Sequence, residues 1–249
     1  MVYVGGENEN GLSNKSYILK WNAAKKEVEI KSLPNFPFAI ANIALTQIDN
    51  VVYAVGGDEA TKSSDYFASL DLNDTNSEWK ALPKLPLALA NSVVIAQKGQ
   101  NGIGIYVVGG RTKTASGISD LHHTTFVFDV KTQQWKNAAA ISDGKNTTNF
   151  SAGAGVAVGK HSIVIVGGDN GAIFHQIETY LSQIAQAESP EQKTELIAKK
   201  NKLVTNHPGF YSGILLYNTL TDQWKKIGEL PFLPHVTTPA VLWDKKIIL

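Results

Sequence analysis

The chain has 249 residues, no cysteine and a formal net charge of +1. Disulfides, thiolate nucleophiles and zinc–thiolate sites are therefore excluded. The balanced charge argues against a nucleic-acid or anionic-membrane partner, and no stretch reaches the ~18 consecutive apolar residues of a membrane helix.

From the N-terminus, a short apolar run ending in Gly-Gly recurs four times. The copies are Tyr3-Val4-Gly5-Gly6, Tyr53-Ala54-Val55-Gly56-Gly57, Tyr106-Val107-Val108-Gly109-Gly110 and Val164-Ile165-Val166-Gly167-Gly168. Their second glycines lie 51, 53 and 58 residues apart. A tryptophan keeps phase with them, seven residues after an apolar one: Leu72 with Trp79, Phe128 with Trp135, Tyr217 with Trp224, and Trp21 with Val28 as a degraded copy. Leu-Pro turns follow, as at Leu82-Pro83 and Leu230-Pro231. A period of about 50 residues with these marks is that of a kelch repeat, one four-stranded blade of a β-propeller. The apolar run is continuous, as a strand buried on both faces between neighbouring blades requires. The glycines end it where the backbone passes close to another segment or takes positive φ. No Gly-x-Gly-x-x-Gly is present, so a dinucleotide reading of these glycines fails.

With strands A to D running from the channel outward, the A strands are expected at Ile43–Thr46, Ser92–Ala96, Ala154–Val158 and Ala240–Trp243. The Gly-Gly runs are B strands. C strands are expected near Tyr17–Trp21, Phe67–Leu72, Thr125–Val130 and Ile214–Tyr217, and D strands around Val28, Trp79, Trp135 and Trp224. The second glycine precedes the tryptophan by 22 and 25 residues in two blades but by 56 in the fourth. The extra segment is rich in Gln, Glu, Lys and Ala. Ile177, Leu181 and Ile184 share a helical face, as do Leu196, Ile197 and Leu203. Ser189-Pro190-Glu191-Gln192 has the form of a helix start. A helical hairpin is predicted over 174–203, within a single propeller domain spanning 1–249. It is either a surface decoration or a lid, since B–C loops share a face with D–A loops. The count is about four blades plus a surplus strand, Lys246–Leu249, which fits an arc of a larger ring better than a closed four-bladed one.

Residues just after B strands and just before A strands should crowd one face around the channel. They are Glu7, Asp58, Arg111 and Asp169, and Asn42, Asn91, Ser151 and His235. Arg111 is the anion-binding candidate. Glu7 and Asp169 compete with a turn-capping role, and His235 with a structural one. His122 and His123, adjacent on a strand, point to opposite faces and do not converge on a metal.

The segment Val4-Gly5-Gly6-Glu7-Asn8-Glu9-Asn10-Gly11, the entry Gly167-Gly168-Asp169-Asn170-Gly171-Ala172-Ile173-Phe174 into the helical insertion, and the return through Leu215-Leu216-Tyr217-Asn218 to Trp224 resemble the bacterial N-acetylneuraminate epimerases, or sialic acid mutarotases, in their cyclically permuted branch. The resemblance implies a six-bladed propeller that interconverts the α and β anomers of free sialic acid in the periplasm, with that sugar acid as partner and no metal or organic cofactor. It places the catalytic glutamate a few residues beyond Leu249, so no residue of this chain is assigned as the base. A non-catalytic kelch module binding a glycan or protein through the same face is the alternative. A copper enzyme of the galactose-oxidase type is disfavoured, because its crosslinked cofactor needs a cysteine.

Overall fold

The structure is a computed structural model describing residues 1–249. Three complete antiparallel blades follow one another. Blade 2 is Ala44–Ile48, Val51–Val55, Phe67–Asp71 and Lys80–Ala81. Blade 3 is Val93–Gly99, Gly102–Val108, Thr125–Asp129 and Gln134–Ala138. Blade 4 is Ala154–Val158, Ser162–Val166, Gly213–Asn218 and Gln223–Glu229. Blade 1 has three strands, Val2–Val4, Ser16–Asn22 and Glu27–Leu33. After blade 4 a hairpin pairs Val241–Trp243 with Lys246–Ile248 and with nothing else, so the N-terminal strands do not close a four-bladed ring. The kelch-type propeller expected from the repeat is the observed fold, and the strand bounds agree within a few residues. The exception is Trp79, which lies just before a D strand of two residues rather than inside it.

The B strands show why the apolar runs are continuous. Successive side chains of a strand point to opposite faces. In blade 2, Val52 and Ala54 join the core shared with blade 1, while Tyr53 and Val55 join the one shared with blade 3. In blade 3, Ile105 and Val107 face blade 2, and Tyr106 and Val108 face blade 4. Each inner blade is thus apolar on both sides and is covered by its neighbours.

The glycine pairs are points of inter-blade contact. All eight glycines have positive φ, from 61° to 107°. A Cβ on the first glycine would overlap the carbonyl oxygen of Ile40, Leu89, Phe150 or His235, each at the start of the next blade. The second glycine donates its N–H to that same carbonyl, at 2.7, 2.8, 2.8 and 3.3 Å. Outside, the repeated tryptophans bind back to the preceding blade. The indole N–H of Trp79 donates to the Pro34 carbonyl (3.1 Å), that of Trp135 to Pro83 (2.8 Å) and that of Trp224 to Ala139 (3.0 Å). In blade 1 the equivalent D-strand position is Val28, paired with Trp21 of the C strand, which is 60% exposed.

The insertion in blade 4 folds as two helices, α1 (Phe174–Ala185) and α2 (Pro190–Thr205). Ser189 caps α2 by accepting from the Gln192 N–H (3.1 Å), and the Gln192 side chain accepts in return from the Glu188 N–H (2.9 Å). Neither helix has a fully buried residue.

Candidate functional site

The A–B pairing of each blade continues past the glycines by one bridge. Ala41 and Asp58 exchange two backbone hydrogen bonds, as do Ala90 with Arg111 and Ser151 with Asp169, all at 2.7–3.0 Å. These bridges place Asp58, Arg111 and Asp169 at equivalent points on one rim. The following residues, Asn42, Asn91, Ala152 and Thr237, all take left-handed φ of 54–57°. They are linked head to tail: Asn91 N–H donates to the Asn42 carbonyl, Ala152 to Asn91 and Thr237 to Ala152, at 3.2, 2.8 and 2.7 Å. This chain of hydrogen bonds, one residue per blade, fixes the floor of the channel mouth.

Five of the eight sequence candidates, Asn91, Arg111, Ser151, Asp169 and His235, line one cavity of about 600 Å³. That size is ordinary for a small-molecule site. The other three do not line it. Asp58 is buried behind Arg111 and fully engaged. Its Oδ2 accepts from Arg111 Nη2 (2.6 Å) and Asn42 Nδ2 (2.9 Å), and its Oδ1 from Ser63 Oγ (2.9 Å), with Lys113 Nζ 3.9 Å away. A carboxylate so enclosed orients Arg111 rather than meeting a ligand. Asn42 belongs to that network. Glu7 is exposed on a small hairpin of blade 1, where Glu7–Asn8 pairs with Gly11–Leu12.

Arg111 is held from one side only. Asp58 engages Nη2, no other side-chain partner is present, and Arg111 lines the cavity. Asp169 is half-buried, and its Oδ1 accepts from the Gly171 N–H (2.6 Å) in a turn at the root of the insertion. Ser151 is buried in the same wall, and His235 is exposed beside it. His122 and His123 diverge: His122 Nε2 meets Thr112 Oγ1 (2.8 Å), and His123 Nδ1 meets Asn149 Oδ1 (3.2 Å).

The remaining lining comes from residues that sequence reasoning did not assign to a site. Phe174, Ile177, Val204, His207 and Phe210 reach in from the insertion, and Leu121 and Leu233 from the propeller loops. The helices are thus a wall of the cavity and not a remote decoration. The apolar helical face containing Ile177 was the available signal. Missing from the sequence is what positions that wall. Glu178 of α1 accepts from both the N–H (2.8 Å) and the Oγ (2.7 Å) of Ser119, on the loop of blade 3 that also carries Arg111. At the root, the Tyr211 N–H donates to the Gly168 carbonyl (3.0 Å).

The family model described as N-acetylneuraminate epimerase matches residues 33–249. The N-acetylneuraminate epimerase of Yersinia pestis (strain Pestoides F) is 27% identical over 224 residues, 87% of this chain and 52% of the relative. That of Haemophilus influenzae (strain 86-028NP) is 24% identical over 202 residues, 81% of this chain and 50% of the relative. The chain spans about half the length of the curated relatives it matches. A solved structure titled "Structure of YjhT" superposes with a TM-score of 0.63 at 18% identity, covering 82% of this chain and 56% of that one, which shows a shared fold.

Proposed function

Because the chain belongs to the N-acetylneuraminate epimerase family, we propose that its cavity binds free N-acetylneuraminic acid and that the protein interconverts the α and β anomers of this sugar. The observation that carries the reading is Arg111, a cavity-lining residue whose guanidinium is paired with a buried carboxylate. Such a group suits a sugar carboxylate, which it meets with paired N–H donors. Asn91, Ser151, Asp169 and His235 surround it with donors and acceptors for hydroxyl groups.

Anomer exchange requires that the anomeric hydroxyl lose a proton and the ring oxygen gain one as the C2–O6 bond breaks. The open-chain ketone then recloses on its other face. Proton transfer by a positioned side chain accelerates such steps. In this proposal the residues above hold the sugar while the ring opens, and the base is not placed on any of them. A periplasmic setting is part of the same reading by likeness to the family; no helix of the chain is long and apolar enough to cross a membrane.

A second reading, a propeller that binds the sugar without turning it over, is favoured by one observation. Asp169 is the sole carboxylate lining the cavity, and one of its oxygens is already occupied by the Gly171 N–H. Proton NMR started from the α anomer separates the two. Equilibration faster than in buffer supports the mutarotase; bound sugar with no acceleration supports the binding module.

A further inference from the structure

The cavity has one mixed wall and one apolar wall. The propeller side presents Asn91, Arg111, Ser151, Asp169 and His235 beside Leu121, Leu233, Pro234 and Val236. The insertion side presents Phe174, Ile177, Val204 and Phe210, with His207 as its one polar side chain and no Lys, Arg, Asp or Glu. The apolar wall has a fixed position, because Glu178, one residue after Ile177, is tied to Ser119 by two hydrogen bonds and the root is closed by Tyr211 on Gly168. A nine-carbon sugar acid is polar almost everywhere. Its hydroxyls would lose hydrogen bonds to water against Phe174 and Ile177 without replacement. The methyl of its acylamino group is its most apolar projecting part and gains from leaving water there.

Resting on the sialic acid reading, we infer that the α1–α2 insertion is the acyl-recognition wall of the site, and that Phe174 and Ile177 determine preference for an N-acylated sugar acid over the analogue with a hydroxyl at the same carbon. Arg111 and the apolar wall then act as two anchors, one for the carboxylate and one for the acyl methyl.

Saturation-transfer NMR on the 249-residue chain with N-acetylneuraminic acid tests this directly. The acetyl methyl should receive more saturation than any ring proton. Phe174→Ala and Ile177→Ala should each lower the methyl's share and weaken binding of the acetylated sugar about fourfold more than binding of the hydroxyl analogue. Neither side chain belongs to an inter-blade core. Val204→Ala reaches the same wall from α2, should α1 unravel in the other variants; circular dichroism reports whether it does. Saturation centred on ring protons, or equal weakening of both ligands, overturns the inference and leaves the sugar-acid reading standing. No saturation of any sugar proton in the wild-type chain overturns both.

Discussion

Gly109 and Gly117 share a positive φ, 61° and 78°, and differ in what surrounds them. A Cβ on Gly109 would strike the Phe150 carbonyl of the next blade, whereas one on Gly117 would meet nothing within 4 Å. Gly117→Ala should therefore carry only the conformational cost of a left-handed alanine, about 1 kcal/mol. Gly109→Ala should cost at least about 3 kcal/mol, because backbone must move at a blade interface. Urea denaturation of the two variants measures the difference, and equal midpoints would contradict the contact account. At His122 the variable is protonation. Burial pushes its pKa below the ordinary histidine value, against a smaller raising effect of Asp120, with His123 adding to the lowering. Thr112 Oγ1 donates to the Ala88 carbonyl (2.6 Å), so it accepts from His122 Nε2, which carries the proton of the neutral ring. A histidine with a depressed folded pKa binds fewer protons folded than unfolded, so stability falls as pH drops through the unfolded value of about 6.5. The melting temperature should fall between about pH 7 and pH 5, and His122→Gln should flatten that slope.

The blades and the insertion were legible in the sequence to different degrees, for reasons that lie in their contacts. Gly-Gly and the tryptophans repeat because every blade meets the next in the same way, so a local pattern encodes a long-range contact. The α2 start at Ser189 was legible because capping is local. Asp58 was not: its sequestration needs Asn42, Ser63 and Arg111 to converge from three segments. Nor were Phe174 and Phe210 recognisable as site residues, since an apolar side chain carries no chemical signal of a ligand. The Glu178–Ser119 contact, 59 residues apart, was equally hidden. Its consequence is measurable at the level of the element. With no fully buried residue in either helix, α1 is held on blade 3 chiefly by this tie, with a longer hydrogen bond from Ser182 Oγ to the Ser116 carbonyl (3.4 Å) beside it. Glu178→Ala should raise amide hydrogen exchange across 174–205 severalfold while strands Gly102–Val108 and Ser162–Val166 stay protected. Unchanged exchange in the helices would show that apolar contact and the Ser182–Ser116 hydrogen bond suffice to position them.

At the scale of the whole molecule, the inner blades and the ends of the arc are solvated differently. Blades 2 and 3 are covered on both sides, but the outer sheets are not. Blade 1 exposes Trp21 (60%) and Ile30 (65%), and the last hairpin exposes Trp243 (68%) and Ile248 (53%). Val241–Trp243 and Lys246–Ile248 pair only with each other, so this two-stranded sheet lacks the third strand that independent stability ordinarily needs. Apolar surface beside unpaired strand edges invites pairing with another chain. The 249-residue chain should therefore associate with rising concentration, and sedimentation velocity should show larger species growing at the expense of monomer. Replacing Trp243 and Ile248 by lysine puts charge on that surface at exposed positions outside every inter-blade core. The double variant should shift the distribution towards monomer with little change in the melting of blades 2 to 4. A wild-type chain that stays monomeric at high concentration would mean that these exposed side chains cover one another in solution, and that the arc's two ends are not open surfaces.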